Sequence, residues 1–453
     1  MENLIANLTE LTGTIAGYAW GIPSIVLLVG TGLYLSIRLR GIQFRGFRHA
    51  TNLVQGKYDK VEDPGEVTHF QALSTALSAT IGTGNIAGVA TAITLGGPGA
   101  VFWMWVTALV GMASKYASCT LALKYRYLHP NGEVSGGPMY TLRDGLGMPK
   151  LGAAFAVFTL IASFGIGNMV QANSVVDGIG FIIPDLAEYK TTLGVIMGIA
   201  VGMVIIGGIK RIAKVASRIV PFMAVAYIIA SLTILLVNFS AIPEALWTII
   251  NHALNPWAAG GGAVGAAIQY GVARGVFSNE SGLGSAPMAH AAARTSEPVR
   301  EGLVAMLGPF IDTLIICTMT ALVIIIVGAW GDTRPEELTG AALSAYAFSQ
   351  ALGDVGGWVV GFGLMFFAYS TIIAWSYYGD RSAEYLFGEK AVLPYRIIYI
   401  VLVVVGASVP LQLVWNFADI ANIFMAAPNL ISLILLAGVV KKASDDYFEK
   451  TFQ

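Results

Sequence analysis

The sequence predicts an all-α integral membrane protein with eleven transmembrane helices: one extra N-terminal helix and a five-plus-five inverted repeat. Three observations lead to this prediction. The 453-residue chain is 56% hydrophobic and 12% charged, with a mean hydropathy of +0.70, so it lacks the charge that a soluble surface requires. Apolar runs of about 20 residues, long enough to cross a ~30 Å hydrocarbon layer, recur along the chain. Two of these runs carry glycine and polar residues at their centres.

Hydropathy and loop punctuation divide the chain into eleven predicted spans. They are residues 17–37, 70–95, 100–126, 151–180, 192–209, 212–237, 264–293, 301–329, 355–379, 393–408 and 411–438. If the N-terminus lies outside, most of the 26 lysine and arginine residues fall in inside loops, whereas the outside loops hold Lys190 and Arg334. The positive-inside rule therefore predicts a multi-pass plasma-membrane protein with its N-terminus outside and its C-terminus in the cytoplasm.

The ten spans after the first divide into two equal sets. The predicted units are an N-terminal helix and interfacial segment (1–69), a first repeat (70–237), an extracellular connection (238–263), a second repeat (264–440) and a cytoplasmic tail (441–453). Because five is odd, the second set has the opposite orientation, as in inverted-repeat transporters. Segments 243–254 and 339–352 are predicted as outer surface helices, and 43–54, with aromatic and basic residues, as an inner interfacial helix.

The first span of each predicted repeat contains helix breakers at its centre: SATIGTGNIAG (78–88) and GVFSNESGLGSAP (275–287). Glycine costs ~1 kcal/mol relative to alanine within a helix, and unwound backbone at membrane depth must line a cavity or be buried in protein. Free amides at one half-helix attract a carboxylate, and free carbonyls at the other attract an ammonium group or a cation. The pattern predicts a site for a zwitterionic amino acid and Na⁺. Close helix packing by small residues is the alternative explanation.

The stretch GGPGAVFWMWVTALVG (96–111) resembles the signature of the alanine/glycine:cation symporter family, the sodium:alanine symporters. GTGN (82–85) and SNESGLGSAP (278–287) are similar to the same family, and the resemblance extends to about residue 440. It implies the five-plus-five fold of the leucine transporter with one extra N-terminal helix, and uptake of alanine or glycine driven by Na⁺. FWMW by itself also fits an interfacial aromatic belt.

The first break is expected to bind the substrate through Ala79, Thr80, Gly82, Thr83, Gly84 and Asn85. The amides of Thr83 and Gly84 should face the carboxylate, and carbonyls near Ala79 and Thr80 the ammonium group. In the second half, Phe277, Ser278 and Asn279 are expected before the break and Gly282 and Leu283 after it. Phe277 should form a wall of the pocket.

The fourth predicted span carries a stripe at helical spacing, Phe164, Asn168, Gln171 and Val175. Polar residues at membrane depth face protein rather than lipid, and Gln171 is the expected side-chain contact with the substrate. An interhelical hydrogen bond is the alternative role for Gln171.

The resemblance implies a five-oxygen Na⁺ cage between the first and eighth core helices. Ser370 and Thr371 would supply adjacent hydroxyls, with backbone carbonyls from Ser78 and Ile81. Trp375 follows Thr371 at i+4 and should project into the substrate pocket, leaving room for little more than a methyl side chain.

Four charged residues fall within apolar spans: Lys115, Arg274, Glu280 and Asp312. Intramembrane ionisable groups are candidates for function, although Arg274 and Glu280 could instead pair or cap the broken helix. Glu280 could also carry a proton, so coupling to H⁺ stays open.

Several other functions are not supported by the sequence. The net charge of −1 does not favour nucleic-acid binding, and Cys119 and Cys317 lie in apolar runs without a disulfide or metal pattern. HExxH, GxSxG and CxxC motifs are absent, so no enzyme and no cofactor besides the coupling ion are expected. The remaining alternatives are an H⁺- or Na⁺-coupled transporter of another amino acid or amine on the same fold and, more distantly, a channel, for which a ring of charges is missing.

Overall fold

The structure is a computed structural model that describes residues 2–60, 62–130, 132–255, 262–331, 334–409 and 411–452. Across these residues it is almost entirely helical, and strands β1 (Tyr127–Leu128) and β2 (Val134–Ser135) form one short antiparallel hairpin. Seven helices are long and apolar enough to cross a membrane, or up to nine when two bent pairs each count as one span. An all-α protein with several membrane spans is thereby confirmed, and the count of eleven stays a prediction.

The described residues of the first part of the chain form thirteen α-helices. They are α1 (Glu2–Ala19), α2 (Ile22–Arg38), α3 (Ile42–Arg45), α4 (Phe47–Val54), α5 (His69–Thr80), α6 (Val89–Gly96), α7 (Gly99–Lys124), α8 (Pro138–Tyr140), α9 (Pro149–Phe164), α10 (Val170–Ile182), α11 (Lys190–Ile205), α12 (Gly208–Val237) and α13 (Ile242–Leu254). Between them lie π-helical segments Gly84–Gly88, Thr141–Gly145 and Gly165–Met169, and 3₁₀ segments Pro184–Tyr189 and Phe239–Ala241.

The second part continues with α14 (Gly262–Asn279), α15 (Ala286–Ala291), α16 (Pro298–Ala305), α17 (Leu307–Pro309), α18 (Thr318–Ile326), α19 (Gly340–Leu352), α20 (Asp354–Phe387), α21 (Val392–Ser408), α22 (Leu411–Leu435) and α23 (Ala437–Phe452). A π-helical segment spans Phe310–Cys317, and a 3₁₀ segment spans Glu389–Ala391. Residues 256–261 of the predicted extracellular connection lie outside the described residues.

The two broken helices, α5–α6 and α14–α15, lie side by side and run in opposite directions. Val67, which precedes α5, forms a backbone bridge with Ala293, which follows α15. At the other end, Gly96 of α6 packs against Ala266 of α14. The start of one broken helix therefore meets the end of the other, which brings their two breaks to the same depth in the bundle.

Two predictions about the helices need correction, one on a boundary and one on location. The predicted first span, 17–37, is divided at Trp20–Gly21, where α1 and α2 meet at 43°; Pro23 near the start of α2 lacks the amide that would continue the hydrogen-bond ladder. The segment predicted as an outer surface helix at 339–352 forms α19, in which Gln350 alone is exposed, and its Ser344 hydroxyl donates to the Ile86 carbonyl at 2.9 Å. Its small residues allow this close packing.

The other two predicted surface segments are exposed on one face, as expected. In α13 the side chains of Trp247 and Leu254 are 65% and 56% exposed, while Ala245 and Ile249 are buried. The segment 43–54 forms most of α3 and α4, and Phe44 is exposed there.

Candidate functional site

The first break separates α5 from the π-helical segment Gly84–Gly88. Helix α5 ends at Thr80, and the axis bends by 51° before helical structure resumes at Gly84. A Cβ at position 84 would lie 3.0 Å from Ser278 Cα, so glycine is what allows this backbone to approach the second broken helix. The predicted break at 82–85 is in the expected place, and all residues from Ser78 to Ala90 are buried.

The second break runs from Glu280 to Ser285, between α14 and α15. Its backbone is left-handed at Glu280 (φ 55°), Gly282 (φ 86°) and Gly284 (φ 92°). Gly282 and Leu283, expected beyond the break, lie inside it, because three left-handed residues cannot continue a right-handed helix. Phe277, Ser278 and Asn279 end α14, as predicted.

Five oxygen atoms converge where α5 meets α20. The Thr371 hydroxyl lies 2.9 Å from the Ser78 carbonyl oxygen and 3.4 Å from that of Ile81. The Ser370 hydroxyl lies 3.5 Å from the Ser78 carbonyl. Both hydroxyls also lie 2.9 Å from the carbonyl oxygen of Phe367. The structure thus brings together the four residues predicted to form a cage and adds a fifth oxygen, from Phe367, that the sequence did not identify.

The amides of the first break have side-chain partners. The Thr83 amide donates to Gln171 Oε1 at 3.2 Å, and the Gly82 amide donates to Asn85 Oδ1 at 2.9 Å. Gln171 also donates from Nε2 to the Ile166 carbonyl at 2.9 Å. Gln171 therefore makes the interhelical hydrogen bond that was the alternative role, and its carbonyl oxygen occupies the acceptor position expected for a substrate carboxylate. Its contact with the substrate stays a prediction.

Asp312 joins the two broken helices. Its Oδ1 accepts from Asn85 Nδ2 at 2.7 Å, and its Oδ2 accepts from the Ser278 hydroxyl at 2.8 Å and the Thr313 hydroxyl at 2.7 Å. The carboxyl group is fully buried in the π-helical segment Phe310–Cys317, and such segments are frequent at functional sites. The sequence identified this charge but assigned it no partner.

Lys115 caps the end of α14. Its ammonium group donates to the Asn279 carbonyl at 2.8 Å, a position expected to bind a cation because it lies at the carbonyl end of a half-helix. The Asn279 side chain donates to the Thr313 hydroxyl at 3.1 Å. Glu280 accepts from the Ser285 hydroxyl at 2.7 Å within the break. The Asn279 carbonyl and the Asn279 side chain therefore both have partners within the protein.

On the side of α6 and α14, aromatic and charged residues cover the site. Phe277 stacks on Trp415 with ring centroids 4.6 Å apart, and the Arg274 guanidinium lies 4.7 Å from the Trp415 ring. Arg274 pairs with Asp419 at 2.5 Å. A cavity of about 150 Å³, lined in part by Arg274 and Trp415, borders this cover. The sequence did not identify Asp419 as the partner of Arg274.

The predicted stripe on the fourth span is not a single face. Phe164 stacks on Tyr395 at 5.4 Å, and Asn168 donates to the Tyr399 carbonyl at 2.7 Å, so both contact α21, whereas Gln171 contacts the break. The reason is the π-helical segment Gly165–Met169, whose i→i+5 hydrogen bonds add a residue to the turn and shift the helical phase. The predicted single stripe is therefore wrong, while the substrate contacts of Phe164 and Asn168 stay predictions.

Trp375 is fully buried beside this π-helical segment. A Cβ at Gly167 would overlap its side chain, so the glycine allows the indole to pack against the backbone. The ring meets Tyr378 edge-to-face at 5.1 Å and lies near the Glu280 carboxylate of the second break. Trp375 thus lies beside the second break, and its predicted place in the wall of the substrate pocket stays a prediction.

At the opposite end, Glu301 links both broken helices. One carboxylate oxygen contacts His69 Nδ1 at the start of α5, and the other lies 2.6 Å from His290 Nδ1 near the end of α15. All three side chains are buried. We call these three residues the His–Glu–His clamp. No local pattern in the sequence predicted it, since its members are separated by up to 232 positions.

The comparisons with known proteins concern the chain as a whole. Residues 5–453 match the family model described as "Sodium:alanine symporter family". The chain is 51% identical over 435 residues to "Sodium/alanine symporter AgcS" of Methanococcus maripaludis, covering 95% of each protein. It is 39% identical over 446 residues to "Probable sodium/glutamine symporter GlnT" of Bacillus subtilis, covering 97% of this chain and 91% of the relative.

A solved structure extends the comparison to the fold. The crystal structure of MhsT in complex with L-phenylalanine superposes with a TM-score of 0.61 at 13% identity, covering 84% of this chain and 93% of MhsT. At that identity the likeness concerns the fold alone, and it supports a leucine-transporter-like helical arrangement.

Proposed function

The chain belongs to the sodium:alanine symporter family, and from this premise we propose that it imports a small neutral amino acid, alanine or glycine, together with Na⁺. The observation that carries the proposal is the group of five oxygens from Ser78, Ile81, Phe367, Ser370 and Thr371 beside an unwound helix. Uncharged carbonyl and hydroxyl oxygens suit a hard monovalent cation, whose charge is then matched by dipoles rather than by a buried carboxylate.

The amino-acid site lies on the other side of Gly82. A Cβ at Gly82 would lie 2.5 Å from the Thr371 hydroxyl and 3.0 Å from Gln171 Oε1, so this glycine stands between the cage and the glutamine. A substrate carboxylate would displace Gln171 Oε1 from the Thr83 amide and bind there, a few ångströms from the cation. This proximity supplies coupling, since each charge stabilises the other in a site that excludes water.

The size of the substrate follows from the packing of Trp375 between the Gly167 backbone and Tyr378. The indole fills the space into which a side chain longer than a methyl group would extend. We therefore propose alanine and glycine rather than the glutamine named for one relative.

Alternating access around this site requires two barriers. On one side, the Phe277–Trp415 stack and the Arg274–Asp419 ion pair cover it; on the other, the His–Glu–His clamp joins the two broken helices. The orientation that we propose places the first barrier outside and the clamp in the cytoplasm, because lysine and arginine residues concentrate in the loops on the clamp side.

Coupling to H⁺ is the second candidate, and the buried carboxyl group of Glu280 at the break favours it. Coupling to Na⁺ is distinguished from coupling to H⁺ by measuring counterflow of labelled alanine in proteoliposomes, with Na⁺ replaced by choline at fixed pH. We expect exchange to require Na⁺ and to be lost in choline. Exchange that ignores the replacement would contradict Na⁺ coupling, and flux without counterflow would indicate a channel.

A further inference from the structure

The first turns of α12 present four exposed cations: Lys210, Arg211, Lys214 and Arg218. Three of them, Lys210, Lys214 and Arg218, are spaced by four residues and so share one face of the helix. The sequence around them is unusual in its charge, because residues 191–243 contain no aspartate or glutamate. This arrangement concentrates positive charge on one helix face without a local counter-charge.

These four side chains differ from other cations on the same side of the protein. Arg381 pairs with Glu384, Arg396 with Asp380, and Lys441 with Asp445. Within the described part of the chain, none of the four α12 cations forms a salt bridge with a carboxylate. Lys210 does act electrostatically on Glu66, but that carboxylate accepts a hydrogen bond from the Val134 amide at 2.9 Å.

The four cations line a shallow, open groove on the surface of α12. This groove, of about 570 Å³, also includes the apolar side chains of Val215 and Ile219. Farther along α12, Phe222, Val225 and Ile229 are 64%, 54% and 59% exposed and point away from the protein core. The surface of α12 thus changes from basic at its start to apolar and lipid-facing farther along the helix.

We propose that this surface, the α12 basic groove, binds the headgroup of an anionic phospholipid. The phosphate would contact the lysine and arginine side chains, and an acyl chain would lie along Val215, Ile219 and Phe222. Charge complementarity selects an anionic ligand, and the apolar lining selects a lipid over a free phosphate ion. Clusters of basic residues at the end of a membrane helix attract anionic headgroups in this way.

Binding at the groove has a route to the transport site. Helix α12 packs against both α5 and α20, which carry the cage, and its Met223 sulfur lies 3.7 Å from the Ser370 hydroxyl. We expect an anionic lipid to hold the end of α12 in place and so to change the transport rate. This consequence rests on the proposed function, whereas lipid binding itself does not.

The test measures lipid binding by native mass spectrometry of the detergent-purified protein. Phosphatidylglycerol is compared with phosphatidylcholine of the same acyl chains, and glycerol phosphate serves as the soluble headgroup. The variant K210Q/R211Q/K214Q/R218Q is compared with R48Q/K57Q/K60Q/K442Q, which removes four exposed cations elsewhere. If the quadruple groove variant is not monodisperse, the double variant K214Q/R218Q is used in its place.

We expect phosphatidylglycerol to bind at least ten-fold more weakly to the groove variant, since each basic residue near an anionic lipid contributes about 1 kcal/mol and about 1.4 kcal/mol is a factor of ten. Binding of phosphatidylcholine, and binding to the matched control, should be unchanged. If both variants lose phosphatidylglycerol binding equally, the binding depends on the net charge of the protein and not on the groove. If glycerol phosphate competes with phosphatidylglycerol, the ligand of the groove is a soluble anion and not a lipid. Either result overturns the proposal. Intact lipid binding with absent alanine counterflow would contradict the proposed function alone.

Discussion

The hydroxyl oxygen of Thr371 lies 2.9 Å from the backbone carbonyl oxygen of Ser78, although the two residues are 293 positions apart in the chain. This contact joins the continuous helix α20 to the last turn of α5, where the helix stops and leaves carbonyl groups without intrahelical partners. A cation can bind between a hydroxyl oxygen and carbonyl oxygens that face each other in this way.

Replacing Thr371 with alanine removes one of the five oxygens and leaves the backbone carbonyls in place. We expect the Na⁺ concentration for half-maximal alanine uptake to rise about ten-fold, since an interaction with a charged group is worth about 1.5–3 kcal/mol. Thr371→Ser retains the hydroxyl and should remain close to the wild type. An unchanged Na⁺ dependence in Thr371→Ala would place the cation elsewhere.

Gln171→Glu places a carboxylate beside the Thr83 amide, where Gln171 Oε1 now lies at 3.2 Å. A fixed negative charge at this position should repel the substrate carboxylate and raise the KM for alanine at saturating Na⁺ by about ten-fold or more. Gln171→Ala removes the competing oxygen without adding charge, so it should have a much smaller effect. Similar KM values in both variants would show that the carboxylate does not bind at this amide.

Asp312→Asn should weaken the link between the two breaks. The carboxylate accepts hydrogen bonds from Asn85, Ser278 and Thr313, and an amide with one oxygen cannot accept all three. Leaving a buried donor unpaired costs about 1–3 kcal/mol, so we expect lower thermal stability in detergent together with loss of alanine uptake. Asp354→Asn, at the exposed start of α20, is the matched control. Normal uptake by Asp312→Asn would exclude Asp312 from organising the site.

Enlarging the pocket at Trp375 should broaden substrate selection. With Trp375→Ala we expect valine and leucine to inhibit labelled alanine uptake, which they should not do in the wild type. Because removing a buried tryptophan costs about 3–5 kcal/mol of stability, Trp375→Phe provides a milder variant with an intermediate expected effect. If selection is the same in both variants, the indole does not bound the substrate side chain.

Glu301→Gln should loosen the His–Glu–His clamp, since an amide offers one acceptor oxygen to two histidine nitrogens. We expect faster amide hydrogen exchange at the start of α5 and in α15, where His69 and His290 lie, with little change in α21. Glu297→Gln, four residues earlier, is the control. Equal exchange in the Glu301 and Glu297 variants would mean that the clamp does not hold these segments.

The sequence alone was sufficient for features that arise from short stretches of chain. Long apolar runs predict membrane helices, and clustered glycines predict where two of them break, because both effects depend on a residue's own hydrophobicity and backbone freedom. The adjacent hydroxyls Ser370 and Thr371 were assigned through the family resemblance, and the structure places them at the first break.

Tertiary structure decided which side chains meet. The π-helical segment Gly165–Met169 placed Gln171 on a different face from Phe164 and Asn168, and spacing counted on an ideal helix could not show this shift. Asp419 as the partner of Arg274, and Glu301 between two histidines, likewise emerge from helix packing over long separations in the chain. The physical reason is that helix breaking is a local free-energy cost, whereas a buried polar group is satisfied by whichever distant group the packing brings within about 3 Å.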